Sequence, residues 1–457
     1  IESVLLTLIS TGIALLVLEP ILNIASLFLG LELSIIPSSY LYLLPTFLVI
    51  AIIIGIAAGF YPSFMISRYH PSKALKGIKE TKTSTFSLRK VLVVGQFAIA
   101  IVLIAGSLII RNQIQFIQQK DLGFDEEQVM VLHMNGEELT RRFPVIKNEL
   151  LQNPHVTNAS LGGGLLDGRN GTVPIYPPGD DPEGYPMNIY GVHFDYFETL
   201  DINIIKGRSF DDSFATDSAN GIIINEAAAD AFGWEDPIGK ELRVSDIMQG
   251  SVIGVAEDFH FASLHRQIQP LVMYIPPTNL EKVFVRIRPG NISASVASLK
   301  ESWRSIVPDF PFSFVFLDDH LQQLYQNDQQ FLKVLTLFTI LTILVACMGL
   351  YGLISYVIQQ RSKEIGIRKI LGARISQVTW LLSSEFTKLV IIAFAISIPI
   401  SYLVMQNWLQ EFAYRTPIPW WAFLVAGLAS LAIALGTISY QTIKTALMNP
   451  VESLRSE

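Results

Sequence analysis

Residues 88–120 read LRKVLVVGQFAIAIVLIAGSLIIRNQIQFIQQK. From Val91 to Ile110 the text is apolar and carries no charge, which is about the length that crosses the hydrocarbon core of a bilayer. From Arg111 it turns polar, yet no glycine or proline breaks it before Lys120. The stretch therefore reads as one helix that spans a membrane and continues past its surface as a polar stalk. A second stalk is expected at Asp319–Gln330, DHLQQLYQNDQQ, which also lacks breakers and precedes the apolar run Val334–Val357.

Four further runs are apolar enough to span: Val4–Leu18 extended weakly toward Leu29, Leu41–Met65, Leu389–Met405 and Trp420–Tyr440. The first is the weakest, because Pro20 is expected to interrupt it. About six spans result. Half of the 457 residues are hydrophobic and only 16% are charged, against about a quarter in soluble chains; the mean hydropathy is +0.41. No basic n-region or small-residue cleavage site precedes the first run, so it does not read as a signal peptide. The chain begins at Ile1 and reads as the C-terminal part of something longer.

Lys and Arg set the orientation. Arg68, Lys73, Lys76, Lys79, Lys82, Arg89 and Lys90 lie between spans two and three, and Arg361, Lys363, Arg368, Lys369 and Arg374 between spans four and five. Both loops are expected in the cytoplasm, together with the C-terminus. Residues 19–40 carry no Lys or Arg, and the loop between spans five and six has only Arg415. Trp408, Trp420 and Trp421 bracket that last outer loop, at the level of an aromatic belt. Residues 111–328 are then outside. They hold 31 acidic and 16 basic residues, a net charge of −15, while the rest of the chain carries +8. This balance suits a plasma-membrane protein and argues against nucleic acid as a partner.

The outer segment alternates strand-like runs (Val129–His133, Gly221–Ile224, Ser251–Val255, Val283–Ile287, Phe312–Phe316) with helical ones (Leu139–Gln152, Ile292–Ile306) and the turn-rich stretches Gly162–Gly171 and Pro177–Pro186. An α+β domain of about 200 residues is expected, large enough for a full core. Cys347 is the only cysteine, so no intrachain disulfide is possible and the core alone must hold the domain. The fold class is a polytopic α-helical membrane protein with an inserted α+β extracytoplasmic domain on helical stalks.

The two membrane blocks echo each other. Tyr61 and Tyr440 are each followed ten residues later by a proline, in YHPSKALKG (Tyr69–Gly77) and MNPVESLRS (Met448–Ser456); Pro71, Leu75 and Lys76 align with Pro450, Leu454 and Arg455. Glu2 before span one matches Glu385 before span five. Residues 1–80 thus read as the tail of a first copy and 91–457 as a complete second copy.

Few residues invite chemistry. His260 and His265, in EDFHFASLH with Glu257 and Asp258, have neither zinc-helix spacing nor a second ligand pair; loop histidines with structural roles are the favoured reading. GWEDPIGKE (Gly233–Glu241) has five residues between its glycines and Glu241 where a phosphate loop needs Ser or Thr, so it is rejected as one. Sequons at Asn158, Asn170 and Asn291 matter only in a secretory pathway. No span has a charge near its centre, as ion-coupled transporters normally need; Gln96 is the one strongly polar candidate. No catalytic, cofactor or metal residue is assigned, and no energy source is visible.

The cytoplasmic loop RSKEIGIRKILGARISQV (Arg361–Val378) places Ile367, Leu371, Ile375 and Val378 on one helical face and spaces Glu364 and Arg368 for pairing on another. It reads either as a helix lying on the membrane surface or as a docking helix for a cytoplasmic partner. Its core, EIGIRKILGA (Glu364–Ala373), resembles the coupling motif of the MacB/FtsX-like ABC transporter permeases. DYFETLDINIIKGRSF (Asp195–Phe210), IIINEAAADAFGWEDPIGK (Ile222–Lys240) and VIGVAEDFHFASLHRQIQP (Val252–Pro270) are similar to the periplasmic core text of that family, and Leu88–Gln113 to its first span and stalk.

The resemblance implies a permease subunit of the long kind that carries two such units. Residues 1–80 are then the last two spans and tail of a first FtsX-like unit, 81–120 span three and stalk, 121–318 the periplasmic core domain, and 319–457 the second stalk, spans four to six and coupling helix. It further implies a separate cytoplasmic ATPase dimer gripping Glu364, Ile365, Gly366, Arg368, Lys369, Leu371 and Gly372. Its closure would be passed to the outer domain as motion, in export or efflux. A second permease half or a homodimer, the lipid bilayer and a periplasmic adaptor are the other partners implied. The location implied is the bacterial inner membrane. A membrane-anchored sensor or scaffold, and a surface enzyme, are the rival readings; the first predicts an attached signalling domain and the second a convergent acid/base or metal cluster outside.

Overall fold

The computed structural model describes residues 1–30, 43–67, 88–133, 137–169, 171–179, 183–277, 280–308, 310–361, 367 and 375–446. In chain order the elements are α1 (Glu2–Leu29), α2 (Leu43–Ser67), α3 (Leu88–Gln118), β1 (Val129–His133), α4 (Glu137–Leu151), β2 (Val156–Gly162), β3 (Gly171–Tyr176), β4 (Tyr185–Gly191), α5 (Tyr196–Leu200) and β5 (Ile204–Gly207). They continue with α6 (Ala215–Asn220), β6 (Gly221–Asn225), α7 (Glu226–Ala231), β7 (Glu241–Val244), β8 (Met248–Ala256), β9 (Leu271–Tyr274) and β10 (Lys282–Ile287). The last are α8 (Ile292–Ile306), β11 (Phe314–Phe316), α9 (Leu317–Gln323), α10 (Gln326–Gln360), α11 (Ile375–Leu409) and α12 (Trp420–Ala446). Two compact units result: a membrane unit (1–110, 330–404, 419–457) and an outer unit (111–329, 405–418).

In the membrane unit, α1, α3, α10, α11 and α12 are long and apolar enough to cross a bilayer, and α2 contains a shorter apolar helix at Pro45–Phe60. Pro20 does not interrupt α1, contrary to the sequence expectation; the helix runs through it to Gly30, where a left-handed residue (φ 69°) ends it with an N–H···O bond of 2.8 Å to Ser26. One lost backbone bond is tolerable in an apolar helix whose neighbours and side chains can compensate. Helices α1 and α2 pair closely through small residues. A Cβ on Gly55 would overlap Thr7 Oγ1 and lie 2.8 Å from Val4 Cα, and one on Gly59 would lie 2.8 Å from Ser3 Oγ. This Gly-x-x-x-Gly spacing lets backbones approach where lipid supplies no hydrophobic drive. A second group packs α3, α10, α11 and α12 around Phe97, Ile101, Ala105, Ala346, Ile354, Ala393, Ala426 and Ile438.

The outer unit holds two sheets. The first has the order β11-β1-β10-β2 and is antiparallel throughout. The second has the order β5-β8-β6-β9-β4-β3-β7, and β7 also pairs with β8, so six of its strands close into a ring and β5 pairs with β8 beside it. Alternation assigns each strand face. In β1, Val129 and Val131 join Phe284, Tyr196, Phe197 and Met273 in one core, while Met130 and Leu132 join Val283, Val285, Phe143 and Trp303 in another, under α4 and α8. Strand β6 does the same: Ile223 faces the first core, and Ile222 and Ile224 fill the ring with Val252, Val272, Leu242 and Val244. Strands buried on both faces read as continuous apolar runs, which is why β1, β6, β8 and β10 were legible. The half-exposed β3, β4, β5 and β7 were not. The second stalk departs from expectation: α9 ends at Gln323 and α10 begins at Gln326. Tyr325 is buried at the break, where its hydroxyl accepts the Leu264 N–H at 2.9 Å.

Candidate functional site

Within the outer unit, four segments converge on a joint: the polar end of α3, the α9–α10 break, the loop 257–266 and the segment 405–418. Gln113 is fully buried. Its Nε2 donates to Tyr414 O at 2.8 Å, and its Oε1 accepts from Thr416 N at 2.9 Å and Thr416 Oγ1 at 3.1 Å. Asn112 Nδ2 donates to Thr416 Oγ1 at 3.3 Å. A buried amide so satisfied contributes directionally; removing it would strand a backbone N–H and a carbonyl. Ala413 N donates to His265 O at 3.2 Å. The His265 ring stacks on Phe412, centroids 4.2 Å apart, with Tyr325 at 6.0 Å. Ser263 Oγ lies 2.8 Å from His265 Nδ1, and Asp328 Oδ2 lies 3.6 Å from Nε2. Lys120 Nζ stands 4.6 Å from the Tyr414 ring centroid. Ile117, Leu264, Tyr325 and Phe412 form the apolar floor, with Trp408 and Tyr414 against it.

His260 meets Tyr414 edge-on at 4.8 Å. Burial, then the charge of Lys120, pushes its pKa down to about 4, so the ring is neutral near pH 7. The residues singled out beside the two histidines do not converge on them. Glu257 Oε2 accepts from Asn203 Nδ2 at 3.0 Å, and Asp258 Oδ1 accepts from Asn225 Nδ2 at 2.8 Å and Ala227 N at 3.0 Å. Among the described residues no group of three His, Cys, Asp or Glu side chains is placed to hold a metal.

Two other stretches quoted above have structural explanations. Asn225 is buried and caps α7: its Oδ1 accepts from Ala228 N at 3.0 Å and from Leu271 N at 2.8 Å, the latter fastening β9. Arg208 grips the buried Asp217 in a two-pronged pair, Nη2 to Oδ1 at 2.8 Å and Nη1 to Oδ2, and Asp211 N adds a bond of 3.1 Å to Oδ2.

Of the coupling motif, Glu364, Ile365, Gly366, Arg368, Lys369, Leu371 and Gly372 lie outside the described residues, as do Tyr69–Gly77 and Met448–Ser456. The anchors that flank the motif are described. Arg361 Nη2 donates to Glu385 Oε1 at 2.8 Å, and Gln441 Nε2 donates to Ser355 Oγ at 3.0 Å, tying α10 to α11 and α12.

The sequence reading treated 405–418 only as a short outer loop. Its part in the joint was missed, and the signal was its aromatic density, Trp408, Phe412 and Tyr414 within seven residues.

Two domain families match the chain. A MacB-like periplasmic core domain matches residues 92–302, and an FtsX-like permease C-terminal domain matches 336–450. The "Macrolide export ATP-binding/permease protein MacB" of Haemophilus ducreyi is 25% identical over 59% of this chain and 40% of its own length. A "Probable export ATP-binding/permease protein" of Pseudomonas fluorescens is 24% identical over 58% of this chain and 42% of its own. The chain thus spans about two fifths of the length of these curated relatives. The crystal structure of the periplasmic region of MacB from Actinobacillus actinomycetemcomitans has a TM-score of 0.33 and 16% identity, covering 45% of this chain and 97% of that one. Carrying both domains in sequence, with candidate spans before and after the periplasmic core, the chain has a MacB-like periplasmic core domain followed by an FtsX-like permease C-terminal domain and is a multi-pass protein of the inner membrane, with residues 111–328 in the periplasm.

Proposed function

We propose that this chain is a permease subunit that couples ATP hydrolysis by a separate cytoplasmic ATPase dimer to motion of its periplasmic domain, in export or efflux. The ATPase grips the segment Glu364–Ala373, through Glu364, Ile365, Gly366, Arg368, Lys369, Leu371 and Gly372. A second permease half or a second copy completes the complex, and a periplasmic adaptor receives the motion. The division into a closing part of one FtsX-like unit (1–80), span and stalk (81–120), periplasmic core (121–318) and the remainder of a second unit (319–457) belongs to the same proposal.

One observation carries the reading. Helix α10 is unbroken for 35 residues from Gln326, beside the periplasmic joint, to Gln360, and the motif-bearing loop follows directly. A rigid helix transmits displacement along its length, while the break at Leu324–Tyr325 supplies a place to bend. The names of the relatives, both export permeases, support the direction of transport. Glycines inside a helix cost roughly 1 kcal/mol each, so Gly366 and Gly372 fit a segment shaped for close approach.

The test replaces Arg368 and Lys369 together by Glu, and separately makes Gly372→Leu, in the full chain. Both variants are expected to insert and to bind lipid normally, yet to lose permease-stimulated ATP hydrolysis in the reconstituted complex. Full stimulation in both would reduce the segment to a membrane-surface helix.

A further inference from the structure

The geometry points to a phospholipid site on the membrane unit, in a groove between α3 and α10 that takes an anionic lipid of the cytoplasmic leaflet. The groove has a volume of about 350 Å³ and is lined by Arg89, Leu92, Gln96, Gly349, Gly352 and Tyr356, with Val93 and Leu353 as its floor. It does not depend on ATPase coupling, and follows from three features.

The first is depth. Arg89 opens α3 at the cytoplasmic end, and Gln96 lies seven residues further in, about 10 Å along the axis at 1.5 Å per residue. Half the hydrocarbon core is about 15 Å, so the groove runs from headgroup level into the acyl region of one leaflet. A soluble cytoplasmic ligand would have no reason to extend there.

The second is charge. The Arg89 guanidinium carbon lies over the Tyr356 ring, 4.1 Å from its centroid. A guanidinium on an aromatic face keeps its N–H donors for another partner. Among the described residues no carboxylate lies within 4 Å of Arg89 or of Lys90. Arg89 at the mouth of an apolar groove on the cytoplasmic side, with Lys90 next to it in the chain, suits a lipid phosphate. The guanidinium can bond two phosphate oxygens at once.

The third is the emptiness of the α10 face. Gly349 is closed off by Gln96, whose amide oxygen a Cβ there would overlap, but a Cβ on Gly352 would meet nothing within 4 Å. Leu92 and Tyr356 are 56% and 41% exposed along the open side. The chain therefore has a trough where helix ridges would normally interlock, of a width suited to an acyl chain lying along α10. The lipid bound there holds α3 and α10 at a fixed separation near the start of the cytoplasmic loop.

The test is native mass spectrometry of the full purified chain after delipidation and titration with phosphatidylglycerol or phosphatidylcholine. One phosphatidylglycerol adduct is expected to resist activation that strips phosphatidylcholine. Arg89→Gln and Gly352→Leu should each lower its occupancy by about five-fold or more, as expected for losing a charge-assisted contact or the groove itself, and Arg89→Lys should fall between. Excess inorganic phosphate should leave the adduct in place. Equal retention of the two lipids, unchanged occupancy in both variants, or displacement by phosphate would each overturn the proposal. A groove filled by a helix of a second copy gives the unchanged-occupancy result. Arg89 is exposed, so its variants decide the matter even if Gly352→Leu fails to fold.

Discussion

The outer unit buries Trp303, Tyr196, Phe143, Phe197, Phe259 and Phe284 almost completely, whereas the buried contacts of the membrane helices use Phe97 and Phe386, aliphatic side chains such as Ile101, Leu350 and Ile354, and six alanines, Ala98, Ala105, Ala346, Ala393, Ala426 and Ala434. Many of their other large side chains face outward: Leu16, Leu27 and Met348 are each more than 70% exposed on the membrane unit. In water, removing apolar surface from solvent is the main drive, and large side chains supply the most of it. In lipid that drive vanishes, and close backbone approach through small residues takes over. One chain thus follows two packing rules, and a substitution should have opposite consequences on the two sides.

The largest expected effect is in the outer unit. Trp303→Ala removes a fully buried indole beneath α8 and should destabilise the unit by about 3–5 kcal/mol, read as a fall in its thermal midpoint in the detergent-solubilised chain. Next comes Arg208→Ala. It leaves Asp217 buried without its partner and should destabilise by roughly 2–3 kcal/mol, less than for a fully buried pair because Arg208 is itself partly exposed. A loss under about 0.5 kcal/mol would mean water reaches Asp217. On the membrane side the sign of the size change reverses. Gly55→Leu adds bulk where α1 and α2 touch, and should weaken their association by about 1–3 kcal/mol. Crosslinking between cysteines placed at Ser3 and Gly59 would register the separation; undiminished crosslinking in the Gly55→Leu chain would argue that lipid-side packing is not set by small residues.

The smallest effect depends on pH. Burial pushes the pKa of His260 to about 4, and that of His193, beside Phe143 and Lys147, to about 4 as well. The unfolded chain takes up these protons near pH 6.5 and the folded one only near 4. Stability contributed by the neutral rings is therefore fully present above about pH 6.5 and declines as the pH falls toward 4. His260→Gln should flatten that slope, measured by denaturant unfolding at successive pH values. The membrane unit, with no such buried histidine among its described residues, should show no matching slope.

Much of the fold was legible because the two packing rules leave different periodicities. Charge-free runs marked the spans, and strands buried on both faces marked themselves as unbroken apolar text: Val129–His133 is β1 to the residue, and Ile292–Ile306 is α8. Breaks set by tertiary contacts were not legible. Nothing local in DHLQQLYQNDQQ ends a helix at Gln323; the capture of Tyr325 by the Leu264 N–H does. Nor could stretch 405–418 announce its partners, since Gln113 is some 300 residues earlier and reads as one polar stalk residue among many. The candidate coupling segment was singled out by its helical spacing, and its role by resemblance; its residues lie outside the described ones.

That separation has a consequence for biogenesis. Gln113 and Thr416 are 303 positions apart, so at roughly 5–20 residues per second the second arrives about 15–60 s after the first. Strands β1 to β11 can pair in the meantime, but the base of the domain stays unsealed, with the polar side chain of Gln113 and the flank of His265 uncovered. Only when the last helical hairpin has been threaded into the membrane does 405–418 reach its seat. The joint is therefore closed last: a chain truncated before Met405 lacks the Tyr414 carbonyl and the Thr416 N–H and hydroxyl that satisfy the buried Gln113 amide in the finished one.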